Sequence, residues 1–373
     1  MSYTLGLVER SSERSATIGC QATGFVLGSL SYRERDTAMN DGVMNNGVMN
    51  NASDPMVGDI TRDDAATIPS EPSGTGLRTR HMKPPLSPAQ QRERLASHNI
   101  SFDGYTDREV EGILARINYY RITGYALQYR VRPDSHWCED GTQFADIMSI
   151  YQFDEELRFL LLRHLEPVEV KLRAVVSHVF TAAHCSESPH DQHTKAEFYY
   201  RKRDALAIIQ AYSHEDERDQ STPWSHKHPR HRETAPLWVM VETMPFSRLV
   251  RYYQCLKRQD RQAVAKEFNT TADNLQNALL CIVRLRNKSA HGNRIYNTVN
   301  LRKARLVRSE MKRLVDAQSV FAYLILLGCY QPTLHQRRRF ATDFWALLSR
   351  YDPHVVRPDL LGIPVSGGRH LLR

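Results

Sequence analysis

The stretch Leu285-Arg-Asn-Lys-Ser-Ala-His-Gly292 holds the residue types best suited to chemistry on a phosphate. Arg286 and His291 are five positions apart, which on an unbroken helix rotates one about 140° from the other. They do not share a helix face, whereas Asn287 and His291, four apart, do. Gly292 is a residue type that often follows a helix end, so His291 is expected in a final turn where its ring is free to tilt. An arginine and a histidine placed there could converge on one phosphate by distortion of that turn. Pairing of two copies of the motif across a dimer is the other route.

Such a pair suits cleavage of RNA without a metal. Imidazole titrates at about pH 6.5 and moves protons near neutrality. A guanidinium stays charged and grips phosphate oxygens bidentately as negative charge accumulates on them. RNA supplies its own nucleophile, the 2′-hydroxyl, so neither a carboxylate cluster nor a cofactor is required. Spacing alone does not decide the matter, because a helix-terminal histidine beside a surface arginine produces the same pattern.

Other chemistry-bearing groups have plainer readings. His226, His228 and His231, with His184, His190 and His193 nearby, invite zinc, but no cysteine pair accompanies them and structural zinc takes four ligands at characteristic spacings. A solvated, weakly basic loop is the expectation, and no metal site is assigned. Glu166 and Glu169 lie close enough to Arg163 and Arg173 for ion pairing on one helix. Asn118, Tyr119, Tyr120 and Arg121 are expected as a packing joint, with Arg121 paired to an acid of the following helix, rather than as a base-stacking platform. No Gly-rich phosphate loop or Ser-His-Asp order provides a starting residue for a kinase, NTPase or hydrolase.

The elements that must position the motif read as helices. Thr106 to Ile117 carries Val110, Ile113, Leu114 and Ile117 on one face. Another helical element begins at Thr142. A longer helix is expected from Asp154 to about Phe180, with Leu157, Leu160, Leu161, Leu165, Val168, Leu172, Val175 and Val179 in its apolar stripe and Asp154, Glu155 and Glu156 at its positive N-terminal end. Pro167 predicts a kink or break in it. Residues 184–235 are polar and read as an irregular insertion around one helix, Ala196 to Tyr212. Helices resume over Leu237–Leu256, Arg261–Phe268, Ala272–Ala290, Leu301–Leu327 and Phe340–Ser349. The fold class that follows is all-α.

Charge narrows the partner. The 373 residues carry a net +8. Residues 1–80 hold 7 basic and 10 acidic side chains, whereas residues 81–373 are left with a net +11. A polyanion, most commonly nucleic acid, is the natural partner of such a surface. Six scattered cysteines without a CxxC pair, no secretory signal pattern and no long apolar run predict a cytoplasmic protein with no membrane partner. The first eighty residues contain a near-repeat, Asp41-Gly-Val-Met-Asn then Asn46-Gly-Val-Met-Asn, with little apolar periodicity. Residues 1–81 are expected to be a disordered leader, or to lie upstream of a functional start at Met82.

Four stretches resemble, in order, the Abi-like (abortive infection, AbiD/AbiF) bacterial proteins. They are Asn118-Tyr-Tyr-Arg-Ile-Thr-Gly-Tyr125 with the Lys83-Pro-Pro-Leu-Ser-Pro-Ala-Gln-Gln91 approach, Tyr151-Gln-Phe-Asp-Glu-Glu-Leu-Arg158 running on through Glu166, Glu169 and Arg173, Pro236-Leu-Trp-Val-Met-Val-Glu242 with Phe246, and Leu285 to Asn297. The likeness spans about residues 82–300, and Phe246-Ser247-Arg248 departs from it where the family usually places a glycine after the aromatic. It implies a HEPN-like helical bundle over 82–300. Residues 301–373 lie outside the likeness and are expected, from their own basic and helical pattern, to form an extension packed on the bundle. The likeness further implies a toxin-like, metal-independent endoribonuclease of phage defence with no cofactor. Arg286 and His291 would be catalytic, Asn287 supporting, and Arg284, Lys288, Arg294 and Tyr296 RNA contacts. RNA, a second copy of the chain and an RNA or protein antitoxin are the implied partners. The rival from the residues is a non-catalytic module in which Arg286 and His291 only grip RNA, and a third reading is a structural helical interaction protein.

Overall fold

Ile147, Ile150, Phe153, Leu157, Leu161, Leu165, Val168, Leu172, Val176 and Phe180 recur at three- and four-residue steps, and every one is buried. That periodicity fits one continuous helix lying in a core. The computed structural model, which describes residues 84–185, 190–212 and 235–372, joins them in α4, Phe144–His184, of 41 residues. Before it come α1 (Pro88–Ala96), α2 (Asp107–Arg116) and α3 (Tyr119–Tyr125). After it come α5 (Lys202–Tyr212), α6 (Leu237–Thr243), α7 (Phe246–Cys255), α8 (Arg258–Glu267) and α9 (Ala272–Ala290). The last are α10 (Ser309–Leu314), α11 (Val320–Cys329), α12 (Leu334–Leu348) and α13 (Arg369–Leu372). Among the described residues β-pairing is limited to three isolated bridges, so the fold is all-α. The leader, the Met82 question and His226, His228 and His231 lie outside the described residues.

Helix α4 is the axle. α3, α6, α8, α9 and α12 all pack against it, and α11 lies behind α9. α11 is apolar all round and buried from Val320 to Gly328, as a helix with neighbours on every side requires.

Several boundaries differ from the sequence reading. α4 starts at Phe144, so Asp154, Glu155 and Glu156 stand well inside it and cannot serve its N-terminal dipole. Pro167 does not break it. The missing N–H costs about 3 kcal/mol in a helix interior, and the packing of α6, α8 and α9 along the rod offsets that cost. Leu237–Leu256 is two helices, because Met244 before Pro245 is extended (φ −69°, ψ 130°) and restarts the chain at α7. Leu301–Leu327 contains only α10 and α11. Over residues 301–308 the backbone is bonded by groups outside the segment, namely the Ala317 carbonyl, the Gln318 and Tyr323 side chains and, on α9, the side chain of Asn277. Asn277 donates to the Lys303 carbonyl at 3.0 Å and accepts from the Arg305 N–H at 2.7 Å. Leu301, Ala304 and Leu306 are buried there, between exposed Arg302, Lys303, Arg305 and Arg308.

Candidate functional site

Helix α9 carries the motif and ends in a defined way. Thr271 caps its N-terminus, and Leu275, Ala278, Leu279, Ile282 and Leu285 bury its inner face. At the other end the Gly292 N–H donates to the Ser289 carbonyl at 3.2 Å and the Asn293 N–H to the Lys288 carbonyl at 2.8 Å. These are the two bonds of a Schellman motif. Gly292 takes the left-handed conformation, φ +64°, that the motif needs. His291 is the last residue before it, exposed, and its ring makes no hydrogen bond or ion pair among the described residues.

Arg286 lies on another side of the helix. Its Nε is 3.9 Å from Glu169 Oε2 on α4, and its guanidinium donates to Asn287 Oδ1 at 3.5 Å. Glu169 is held more closely by Arg173, at 2.7 Å. Arg173 in turn donates to the carbonyls of Val241 and Met244 at 2.9 and 2.8 Å, tying the end of α6 to α4. No hydrogen bond joins Arg286 to His291. Within one chain the structure brings Asn287 to Arg286 but does not bring the two expected catalytic side chains together.

The segment after His291 is fastened by a buried carboxylate. Asp154 is fully buried on α4 and accepts the backbone N–H groups of Ile295 and Tyr296, at 3.0 and 2.7 Å. It also accepts the Tyr125 hydroxyl at 2.7 Å and is ion-paired with buried Arg158. Burial together with the Asp154 charge pushes the Tyr125 phenol pKa well up. Two arginines complete the fastening in opposite directions: Arg121 of α3 donates to the Gly292 carbonyl, and Arg294 donates to the Gly124 carbonyl. The first and fourth resembling stretches thus meet, each placing an arginine on a glycine carbonyl of the other.

The sequence model of the Abi-like protein family matches residues 112–297. That span begins in α2 and ends just after the backbone that Asp154 holds. The chain belongs to the Abi-like protein family. Membership implies a part in abortive infection, a defence against phage. The comparison with curated proteins finds no match, and neither does the comparison with solved structures. Among the described residues of this Abi-like protein no helix is long and apolar enough to cross a membrane.

The flanking candidates take different places. Arg284 is exposed. Lys288 is half-buried, donates to the Arg294 carbonyl at 3.1 Å, and has its pKa lowered by burial and by Arg284 and Arg294. Arg294 is lowered by burial and is engaged with Gly124. Tyr296 is a core residue, 1% exposed, whose hydroxyl donates to Gln128 Oε1 at 2.7 Å and accepts from the Arg357 N–H at 3.0 Å. It cannot reach RNA from there, which corrects its assignment as a contact. The acid partner expected for Arg121 is also replaced, by the Gly292 carbonyl. Tyr120 is 85% exposed rather than packed. Of Glu166 and Glu169, only Glu169 is ion-paired among the described residues. His184 bonds Asp260 at 3.2 Å, His193 bonds the His190 carbonyl at 3.1 Å, and no cluster of three potential metal ligands occurs among the described residues.

Asp154, Arg158 and Tyr125 are the residues that the sequence reading missed as a unit. A signal was present. Asp154 and Arg158 fall in phase with Ile150, Leu157 and Leu161, four residues apart on an apolar stripe. Charges at buried positions are paired or costly.

Proposed function

We propose that this Abi-like protein is a toxin-like, metal-independent endoribonuclease of the HEPN type that cuts RNA during abortive infection. The observation that carries the reading is His291. It is an exposed imidazole that makes no hydrogen bond or ion pair among the described residues, fixed at the end of α9 by a glycine-terminated Schellman turn whose Gly292 carbonyl accepts from Arg121. In that role His291 handles the proton of the attacking 2′-hydroxyl or of the leaving 5′-oxygen. Arg286 stabilises the crowded phosphorane, for which its 3.9 Å contact with Glu169 is loose enough to be exchanged. Because the two side chains leave α9 about 140° apart, the complete site draws Arg286 and His291 from two copies of the chain. The products are a 2′,3′-cyclic phosphate and a 5′-hydroxyl, and an RNA or protein antitoxin would restrain the enzyme.

The separation of Arg286 from His291 on α9 also favours a second reading. Side chains that do not meet can each grip a phosphate in a non-catalytic RNA-binding module. One experiment separates the two. Labelled RNA is incubated with the protein in EDTA, beside His291→Ala and Arg286→Ala variants whose helicity is checked by circular dichroism. The nuclease predicts cleavage that persists in EDTA and falls by about a hundredfold or more in His291→Ala, the scale of general acid–base catalysis. RNA that is shifted but left intact by the unmodified protein selects the binding module.

A further inference from the structure

Helix α4 has a second face, turned away from the core. Phe159 is 67% exposed and Val170 is 52% exposed. Leu162, between them, is partly buried. Arg163 and Glu166 are exposed on the same face, and neither makes an ion pair among the described residues. The spacing of Phe159, Arg163, Glu166 and Val170 keeps all four within about 60° of one another round the helix. Exposed apolar side chains flanking two opposite charges on one helix face are a pattern suited to an interface.

The order of residues along the stripe says which occupant fits. Phe159 and Val170 are equidistant from a point midway between His164 and Leu165, and so are Arg163 and Glu166. A two-fold axis crossing α4 at that point sets two copies of the helix antiparallel. Arg163 then meets the partner's Glu166, Phe159 meets the partner's Val170, and Leu162 meets the partner's Pro167. Each contact occurs twice, as an isologous interface requires. Opposite charges lie at the centre and apolar side chains on both sides of them. A parallel pairing in register would instead set Arg163 against the partner's Arg163 and Glu166 against the partner's Glu166.

We infer that the exposed face of α4, from Phe159 to Val170, is a homodimer interface with its two-fold axis between residues 164 and 165. The face lies next to the candidate site along α4, because Glu169, the sequence neighbour of Val170, is 3.9 Å from Arg286. The axis places the two Glu169 residues, each 3.9 Å from its own Arg286, about 14 Å apart along the helix direction at 1.5 Å per residue. This interface adds a register and a set of contacts to the two-copy reading of the site, and it stands whether or not RNA is cut.

The test exploits the symmetry. Sedimentation velocity is run on the full chain over micromolar concentrations, with circular dichroism to confirm that each variant folds. The unmodified protein is expected to dimerise. Arg163→Glu alone and Glu166→Arg alone each create two like-charge contacts and should weaken the dimer at least about tenfold. The double variant Arg163→Glu with Glu166→Arg should dimerise again, and mixing the two single variants should yield a dimer with one chain of each. Phe159→Ser should weaken association without touching charge. An unmodified chain that stays monomeric at tens of micromolar overturns the inference. So do single reversals that dimerise like the unmodified protein, or a double variant as weak as the singles. RNA cleavage is assayed on the same samples: an unmodified dimer that follows these rules but cuts no RNA supports the interface and counts against the nuclease reading.

Discussion

Asp154 is a carboxylate with no access to water, and four donors share its two oxygens. Its charge is balanced by Arg158, itself 6% exposed. Asp154→Asn keeps the shape but strands the Arg158 cation, and breaking a buried pair from one side costs about 3–5 kcal/mol. The denaturation midpoint should fall accordingly. Removing both charges in Asp154→Asn with Arg158→Met should recover part of the loss, since that variant leaves no unpaired ion. A second residue-scale effect concerns pH. Burial lowers the pKa of His193 and of His164 below 6.5, in His164 against the raising effect of Asp343. The unfolded chain then binds a proton at about 6.5 that the folded chain takes up only at lower pH. Stability is therefore full above pH 6.5 and declines as the pH drops from there towards the folded values. Thermal melts between pH 7 and pH 5 should show this decline, and His193→Gln should make it shallower.

At the scale of elements, the end of α9 places His291, and Gly292 makes that end possible. A Cβ at position 292 meets nothing nearer than the Arg121 guanidinium at 3.8 Å, so space is not the constraint. The constraint is φ +64°, a conformation that costs an L-residue roughly 1–2 kcal/mol. Gly292→Ala should lower stability by about that amount, and Gly292→Asn by less, because asparagine tolerates the left-handed region. RNA cleavage should follow the same order if the turn sets the imidazole's position. The limits of α9 were legible in the sequence, because a capping threonine, a regular apolar stripe and a closing glycine all agree over Ala272–Ala290. Residues 301–308 were not legible. Their leucines, alanine and arginines suit a helix, but the chain there is bonded by Asn277 from another element, and no local pattern announces a distant side chain.

On the scale of the molecule, charge is the feature that needs no structure to be read. The +11 carried by residues 81–373 should make RNA binding an exchange of protein cations for counterions, with affinity falling linearly in log–log form as salt rises. Filter-binding or fluorescence titrations between 50 and 200 mM salt check this, and a flat response would sink nucleic-acid binding in either of its forms. Arg284→Ala, removing an exposed cation beside the motif, should lower the salt slope by about one if it touches a phosphate.

Local pattern determined the helical class, the run of α9, the glycine turn that follows His291 and the resemblance that the family match then bore out. Those features depend on residues within a few turns of one another, and a 3.6-residue period reports them directly. Tertiary structure alone decided the rest. It carried α4 through Pro167, because flanking helices compensate for a bond that the proline cannot make. It turned Asp154 from a supposed helix-end charge into the buried anchor of the segment after His291, because the backbone donors it needs come from a part of the chain remote in sequence. It moved Tyr296 from a candidate contact into the core. It also kept the last turn of α9 regular, closed by its two Schellman bonds, so the divergence that the spacing of Arg286 and His291 implies is not undone within one chain.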